Sequence, residues 1–312
     1  YGHHPLQYTM NRMKPRANTQ ATLLGNFAGS ALDDIINRKD YAVNETIKEN
    51  FKEKALEFST CSGFDAQKFI FDANTQANNL RQVVTELFKT YDKEKAILEP
   101  SFVCEQLGIQ GRVDLMTTDY KLLVEQKSGR NLNIENNRPN EFGSYQLEPH
   151  YVQLLLYYGV LKYNFNLGNN AVDIRLLYSK YPPAGGLVVV AFYQKLFREA
   201  IRFRNELVAN ELDIAENGFD QVIDAFNPET LNVKGIDGMF YRNYLYPEID
   251  AITSPLHSLS PLERAYYGRM MTFVYREQRI AKMGAQEGVN NCGADIWNMP
   301  LSEKKETGNI YT

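Results

Sequence analysis

CEQLGIQGRVDLMTTDYKLLVEQKSGR, residues 104–130, is the stretch that decides how this chain is read. In its last strand-like run Glu125 and Lys127 lie two apart, so the pleat places both side chains on one face, with Val124 and Gln126 on the other. Three β-rich runs, 101–108, 111–118 and 120–127, are separated by Gly- or Asp-containing turns and predict three antiparallel strands. A hairpin turning near Thr118 to Tyr120 carries Asp114, on the second run, toward Glu125 on the third. Two carboxylates and one ammonium then share a small space.

Such a set suits phosphodiester hydrolysis. Asp114 and Glu125 are of the type that holds magnesium or manganese, which polarises a phosphate and lowers the pKa of a bound water. The main-chain carbonyl of Gln126 is a further candidate ligand, and Glu105 on the first run a candidate outer carboxylate. Lys127 would orient or help deprotonate the attacking water, or offset charge in the transition state. The competing reading is an exposed cross-strand charge pair. Leu122, Leu123 and Val124, directly before the charges, favour the site, because a solvated strand would not carry that run.

Working outward, residues 20–58 and 65–91 show helical periodicity, as in Leu80, Val83, Val84 and Leu87. The Asn- and Gly-rich stretch 128–145 reads as a loop, and a helix opens at Pro149 and runs to about Tyr163. On that helix His150, Gln153 and Tyr157 are spaced by three and four and line one face, either gripping substrate or simply turned to solvent. AVDIRLLYS, 171–179, is a strand; LVVVAF, 187–192, is a strand or the buried start of a helix through Leu212. After Asn217 the pattern weakens until the helix 260–284, where Ser260 and Glu263 form a capping box with Pro261 just inside and Gly284 closing it.

The motifs GRVDLM, LLVEQKSG and HYVQLLLYY, in that order, resemble the RecB-type branch of the PD-(D/E)XK nucleases. The resemblance covers roughly residues 20–180 and implies an α/β fold, a mixed central sheet flanked by helices (restriction-endonuclease-like), over 1–212, with a mainly helical accessory region over 213–312. It implies metal binding by Asp114 and Glu125, catalysis with Lys127, and substrate contact by Gln153 and Tyr157 through the motif Q-x-x-x-Y. It also implies a DNA substrate, single-stranded or with an end. Where many members carry G-x-x-x-H with a ligand histidine, this chain has Gly25 and then Gly29, and Asp33 or Asp34 is the candidate replacement. Several members hold an iron–sulphur cluster on four cysteines. Cys61, Cys104 and Cys292 are too few and too scattered, so no cluster is expected, and Cys61 and Cys104 read as core residues.

The net charge of -4 gives no overall field to attract nucleic acid, so DNA must be held by a local basic surface or through metal. Arg130 and Arg138 in the loop, and Lys195, Arg198, Arg202 and Arg204 further on, are candidates for that surface. No apolar run approaches the roughly 20 residues of a membrane span, and no signal peptide is expected. Three unpaired cysteines suit a reducing, cytoplasmic setting. No phosphate-cradling G-x-x-x-x-G-K-[ST] loop occurs, so ATP hydrolysis is not expected of this chain, which reads as a piece of a larger helicase-nuclease or the partner of a helicase motor. A catalytically silent nuclease fold that binds or scaffolds DNA is the competing function, and a hydrolase of another phosphodiester a third. His3 and His4 read as terminal residues rather than ligands, and Trp297 and the tail 304–312 carry no assignable chemistry.

Overall fold

The computed structural model describes residues 4–15, 17–168 and 171–283. His3, Gly284, Cys292, Trp297 and the tail 304–312 lie outside the described residues. In chain order the helices are α1 (Pro5–Met13), α2 (Gln20–Asn37), α3 (Val43–Glu53), α4 (Ala55–Ser59) and α5 (Ala66–Leu87). There follow β1 (Ala96–Leu98), β2 (Ser101–Cys104), β3 (Ile109–Arg112), β4 (Leu115–Thr117) and β5 (Leu122–Lys127), then α6 (Leu132–Glu135) and α7 (Glu148–Phe165). The rest comprises β6 (Asp173–Tyr178), α8 (Pro183–Gly186), β7 (Leu187–Val190), α9 (Gln194–Asn217), α10 (Asp220–Ala225), α11 (Pro228–Leu231), α12 (Gly238–Phe240), α13 (Tyr246–His257) and α14 (Pro261–Met283).

Five strands form one mixed sheet in the order β1-β4-β5-β6-β7, while β2 and β3 form a separate hairpin. Only β5 and β6 run parallel, Glu125 opposite Leu176, because α7 makes the crossover between them. Side-chain alternation then builds two cores. Leu122 and Val124 face α2 and α5 with Leu23, Phe27, Phe69 and Leu80; Leu123, Met116 and Leu176 face α7 with Leu154, Leu155 and Tyr158. The charged end of β5 inherits this alternation, so Glu125 and Lys127 belong to the α7 face and Gln126 to the α2 face.

Contacts divide the chain into residues 16–201 and a second unit of 1–15 with 202–312. The sequence suggests a boundary at 212 with α1 in the first unit; the division falls inside α9, and α1 belongs with the later helices. In that unit Met10, Phe219, Ile223, Phe226, Ile249 and Tyr275 share a core, and Arg12 pairs with Glu211. The expected capping box is present: Glu263 Oε2 accepts from Ser260 N at 2.8 Å, and Glu263 N donates to Ser260 Oγ at 3.4 Å.

Several expectations change. The helical stretch 20–58 is three helices, since the chain is extended at Arg38 and at Ala42, between the first two, and leaves the helical conformation again at Lys54 (φ -106°, ψ 27°). The three antiparallel runs split into a hairpin and sheet strands: β3 ends at Arg112, and β4 begins only at Leu115. Asp114 therefore sits at the break between them rather than on a strand. β7 is a strand, and the following helix starts only at Gln194. His4 caps α1 through Nδ1, accepting from Leu6 N at 3.1 Å. Cys61 and Cys104 are buried in different cores, as read.

Candidate active site

The site lies at the charged end of β5. There the β4 ladder has stopped, its pairing with β5 reaching only Val124 opposite Leu115. The next β5 donor on that edge, Gln126 N–H, is taken instead by the Asp114 carboxylate, Oδ2, at 2.6 Å. Asp114 thus replaces a strand in the ladder, which holds its carboxyl beside Glu125. Lys127 Nζ donates to Glu125 Oε1 at 2.6 Å, and Gln153 Nε2, reaching from α7, donates to the same oxygen at 2.9 Å. Gln153 also donates to the Tyr157 hydroxyl at 2.9 Å, one helical turn on. Tyr157 is seated by the hairpin: a Cβ on Gly111 would come 2.5 Å from Tyr157 Cε1, so only glycine lets β3 approach the ring.

The charges here are poorly compensated. Glu125 is 3% exposed. Burial first, and then the Asp114 charge, push its pKa up to about 7. Burial also raises Asp114, against the Gln126 N–H and the Lys127 ammonium, which favour its charged form. The two carboxyls are near enough to share a hydrogen bond, which needs a proton on one of them. As two carboxylates they accept only, and Glu125 Oε2 is then buried without a partner. Either a proton or a cation has to stand between them.

More carboxylates gather on the other side. Asp33 is pushed up to about 6 by burial, then by the charges of Glu99, Asp114 and Asp34, with Arg112 opposing. Its neighbour Asp34 instead accepts from Thr46 Oγ1 at 2.6 Å and pairs with Arg38 at 2.9 Å. Of the two candidate replacements for the histidine, Asp33 is therefore the one left without such partners and within the reach of the Asp114 charge. Glu99 has φ 49°, a region non-glycine residues seldom occupy, and its N–H donates to the Asp114 carbonyl at 3.0 Å. It pairs with Arg112 at 3.1 Å. Neither Glu99 nor Arg112 stands out in the sequence.

Other predicted residues lie apart from the carboxylates. Glu105 is exposed in the turn of the β2–β3 hairpin, not on a strand facing the site. His150 is half-buried with Nδ1 at 3.1 Å from the Tyr178 hydroxyl, and burial, then Lys127, bring its pKa down to about 4. That burial favours the neutral imidazole at ordinary pH. Arg130 is exposed and paired with Glu135. On α9, Lys195 and Arg202 pair with Glu199 and Glu206 one turn on, so that basic face is partly neutralised.

Among the described residues no three His, Cys, Asp or Glu side chains form a metal cage by themselves. A cation at Asp114 and Glu125 would take further oxygens from backbone, water or substrate, as magnesium commonly does. Among the described residues no helix is long and apolar enough to cross a membrane. Compared with protein-family models, curated proteins and solved structures, the chain matches none.

Proposed function

We propose that this chain is a divalent-metal-dependent nuclease that hydrolyses DNA phosphodiester bonds, with a core of the PD-(D/E)XK class in its RecB-type branch. One observation carries the reading: a buried carboxyl, Glu125, and a half-buried one, Asp114, lie together with a Glu125 oxygen unpartnered and the Lys127 ammonium alongside. A fold maintaining only itself has no use for that combination, which costs stability unless something binds there. The motif order along the sequence and the mixed α/β sheet agree with it.

The residues fit a hard cation. Asp114 and Glu125 would hold it, with Asp33 near enough to add charge. The Gln126 carbonyl is a further donor, since in a strand a residue's N–H and C=O leave by the same edge and its N–H already points at Asp114. When bound, magnesium or manganese supplies Lewis acidity and a water of lowered pKa.

The chain's own groups do the rest. Lys127 and Gln153 both donate to Glu125 Oε1 and thereby leave Oε2 free. The Tyr157 hydroxyl accepts from Gln153, so its own proton is available to a phosphate oxygen. Lys127, part-exposed where Glu125 is not, can turn its ammonium toward the charge that develops on phosphate. The test is incubation with labelled single-stranded and duplex DNA in magnesium or manganese. Cleavage is expected, and it is expected to vanish with chelator and in Glu125→Ala; cutting indifferent to both would sink the proposal.

A further inference from the structure

A groove of about 720 Å3 lies on the α2 and α5 side of the sheet and begins one residue past Lys127, lined there by Ser128, Gly129 and Arg130. Its walls are one face of α5, where Lys68, Phe71, Asp72 and Thr75 follow at helical spacing, and the first turns of α2. The floor is built rather than accidental. Gln76, 2% exposed, donates to the Ser128 carbonyl at 3.1 Å and accepts from the buried Ser179 hydroxyl at 2.6 Å. Gly129, on the same lining, has open space where a side chain would be.

Two features point to the occupant. Phe71 is 71% exposed, an apolar ring that no packing explains and that stands among cations. Lys68, Arg130 and Lys180 supply three positive charges to the walls against the carboxylates of Asp65 and Asp72. Asp65 is engaged as the N-cap of α5, accepting from Lys68 N at 3.0 Å. Arg130 and Lys180 share Glu135 on the surface, an exposed pairing that a phosphate can displace. A ring beside spaced cations suits a strand of unpaired nucleotides, whose base faces are free to stack and whose phosphates repeat along the backbone. Duplex bases have no free face to offer.

We infer that this groove is a subsite for unpaired nucleotides flanking the segment that is cut, with a base stacked on Phe71 and phosphates held by Lys68, Arg130 and Lys180. It rests on the nuclease reading and adds to it where the neighbouring nucleotides lie. Binding of a labelled oligothymidine, with calcium replacing magnesium, is measured by fluorescence anisotropy. Phe71→Ala is expected to weaken it roughly tenfold. Lys68→Ala and Lys180→Ala are each expected to lower the salt dependence of log K by about 0.7. Phe71→Trp, in a Trp297→Phe background that leaves it the only indole, is expected to keep the affinity and to be quenched by the oligothymidine. A parent chain that binds and cuts DNA while Phe71→Ala binds equally well and the new indole is not quenched would overturn the groove and leave the nuclease standing. An equal loss on blunt duplex would overturn it too. A parent chain that neither binds nor cuts DNA overturns the nuclease reading, and the groove with it.

Discussion

The two ends of the β5–β6 pair treat carboxylates in opposite ways. At one end Asp173, opposite Leu122, receives two bonds from Arg175, at 2.6 and 3.0 Å, and another from Tyr91. At the other end Glu125 has one ammonium and one amide on a single oxygen, and a second carboxyl beside it. Burial differs, the Asp173 side chain being 25% exposed and that of Glu125 4%. The partners differ as well: the first carboxylate is matched by charge and hydrogen bonds within the chain, and the second has an oxygen without a partner. On the proposed function, the first serves stability and the second is kept for a ligand.

The strongest way to break this comparison is to remove the uncompensated charge. Asp114→Asn keeps an oxygen for the Gln126 N–H but removes one of the opposed charges. Cleavage is expected to fall by about a thousandfold or more, the scale on which losing a centre of electrostatic catalysis acts. The metal-free protein is expected to melt a few degrees higher, about 2–4 °C for each 1 kcal/mol gained. Loss of both activity and stability in calorimetry would mean that the pair is structural after all.

Next comes the helix that serves Glu125. Gln153→Ala and Tyr157→Phe each remove hydrogen bonds worth about 0.5–1.5 kcal/mol, or up to about 3 to a charged phosphate. Cleavage is expected to slow by roughly threefold to a hundredfold, with manganese affinity nearly unchanged in calorimetry. Parent rates in both variants would reduce α7 to packing.

The compensated end is expected to respond in the reverse sense. Asp173→Asn leaves Arg175 and Tyr91 short of an acceptor, and chemical denaturation is expected to show a loss of about 1–3 kcal/mol with the cleavage rate unchanged. A drop in rate without a drop in stability would erase the distinction between the two ends.

The smallest expected effect is with pH. Glu125 titrates at about 7 in the fold against 4.5 for an ordinary Glu, so the folded state holds its proton longer than the unfolded state. Its contribution is complete below about 4.5 and is lost as pH rises through about 7. His150 works the other way, losing stability as pH falls from 6.5 toward about 4, so the comparison has to be with Glu125→Gln rather than with the parent at another pH. Without metal, the parent's melting temperature is expected to fall relative to Glu125→Gln by a few degrees between pH 5 and 8, and magnesium to close the gap. A gap independent of pH would show that Glu125 is not held protonated.

Much of the site is legible from residues two apart. Period-two alternation places Glu125 and Lys127 together and Gln126 opposite them, and helical spacing places Gln153 and Tyr157 one above the other. The route by which Asp114 arrives is not legible. GRVDLM reads as one continuous strand, and the break at Val113 and Asp114 appears only because Gln126 N–H takes a carboxylate for its partner. β1 is three residues long, too short for any pattern, and the turn at Glu99 and Pro100 that aims Glu99 at Asp114 looks like any other turn. Asp33 and Asp34 could not be separated by sequence, because neighbours on a helix point about 100° apart and nothing local says which way the sheet lies. Thr46 and Arg38 decide it by engaging Asp34.

That last contrast supplies the most direct test of whether a cation belongs between Asp114 and Glu125. Manganese is titrated calorimetrically into the parent chain and into Asp114→Ala, Asp33→Asn and Asp34→Asn, each first checked for a folded, cooperative melt. Saturable binding by the parent is expected, lost in Asp114→Ala, weakened in Asp33→Asn and unchanged in Asp34→Asn. Binding by Asp114→Ala with the parent's affinity, or no binding by the parent, would contradict the account.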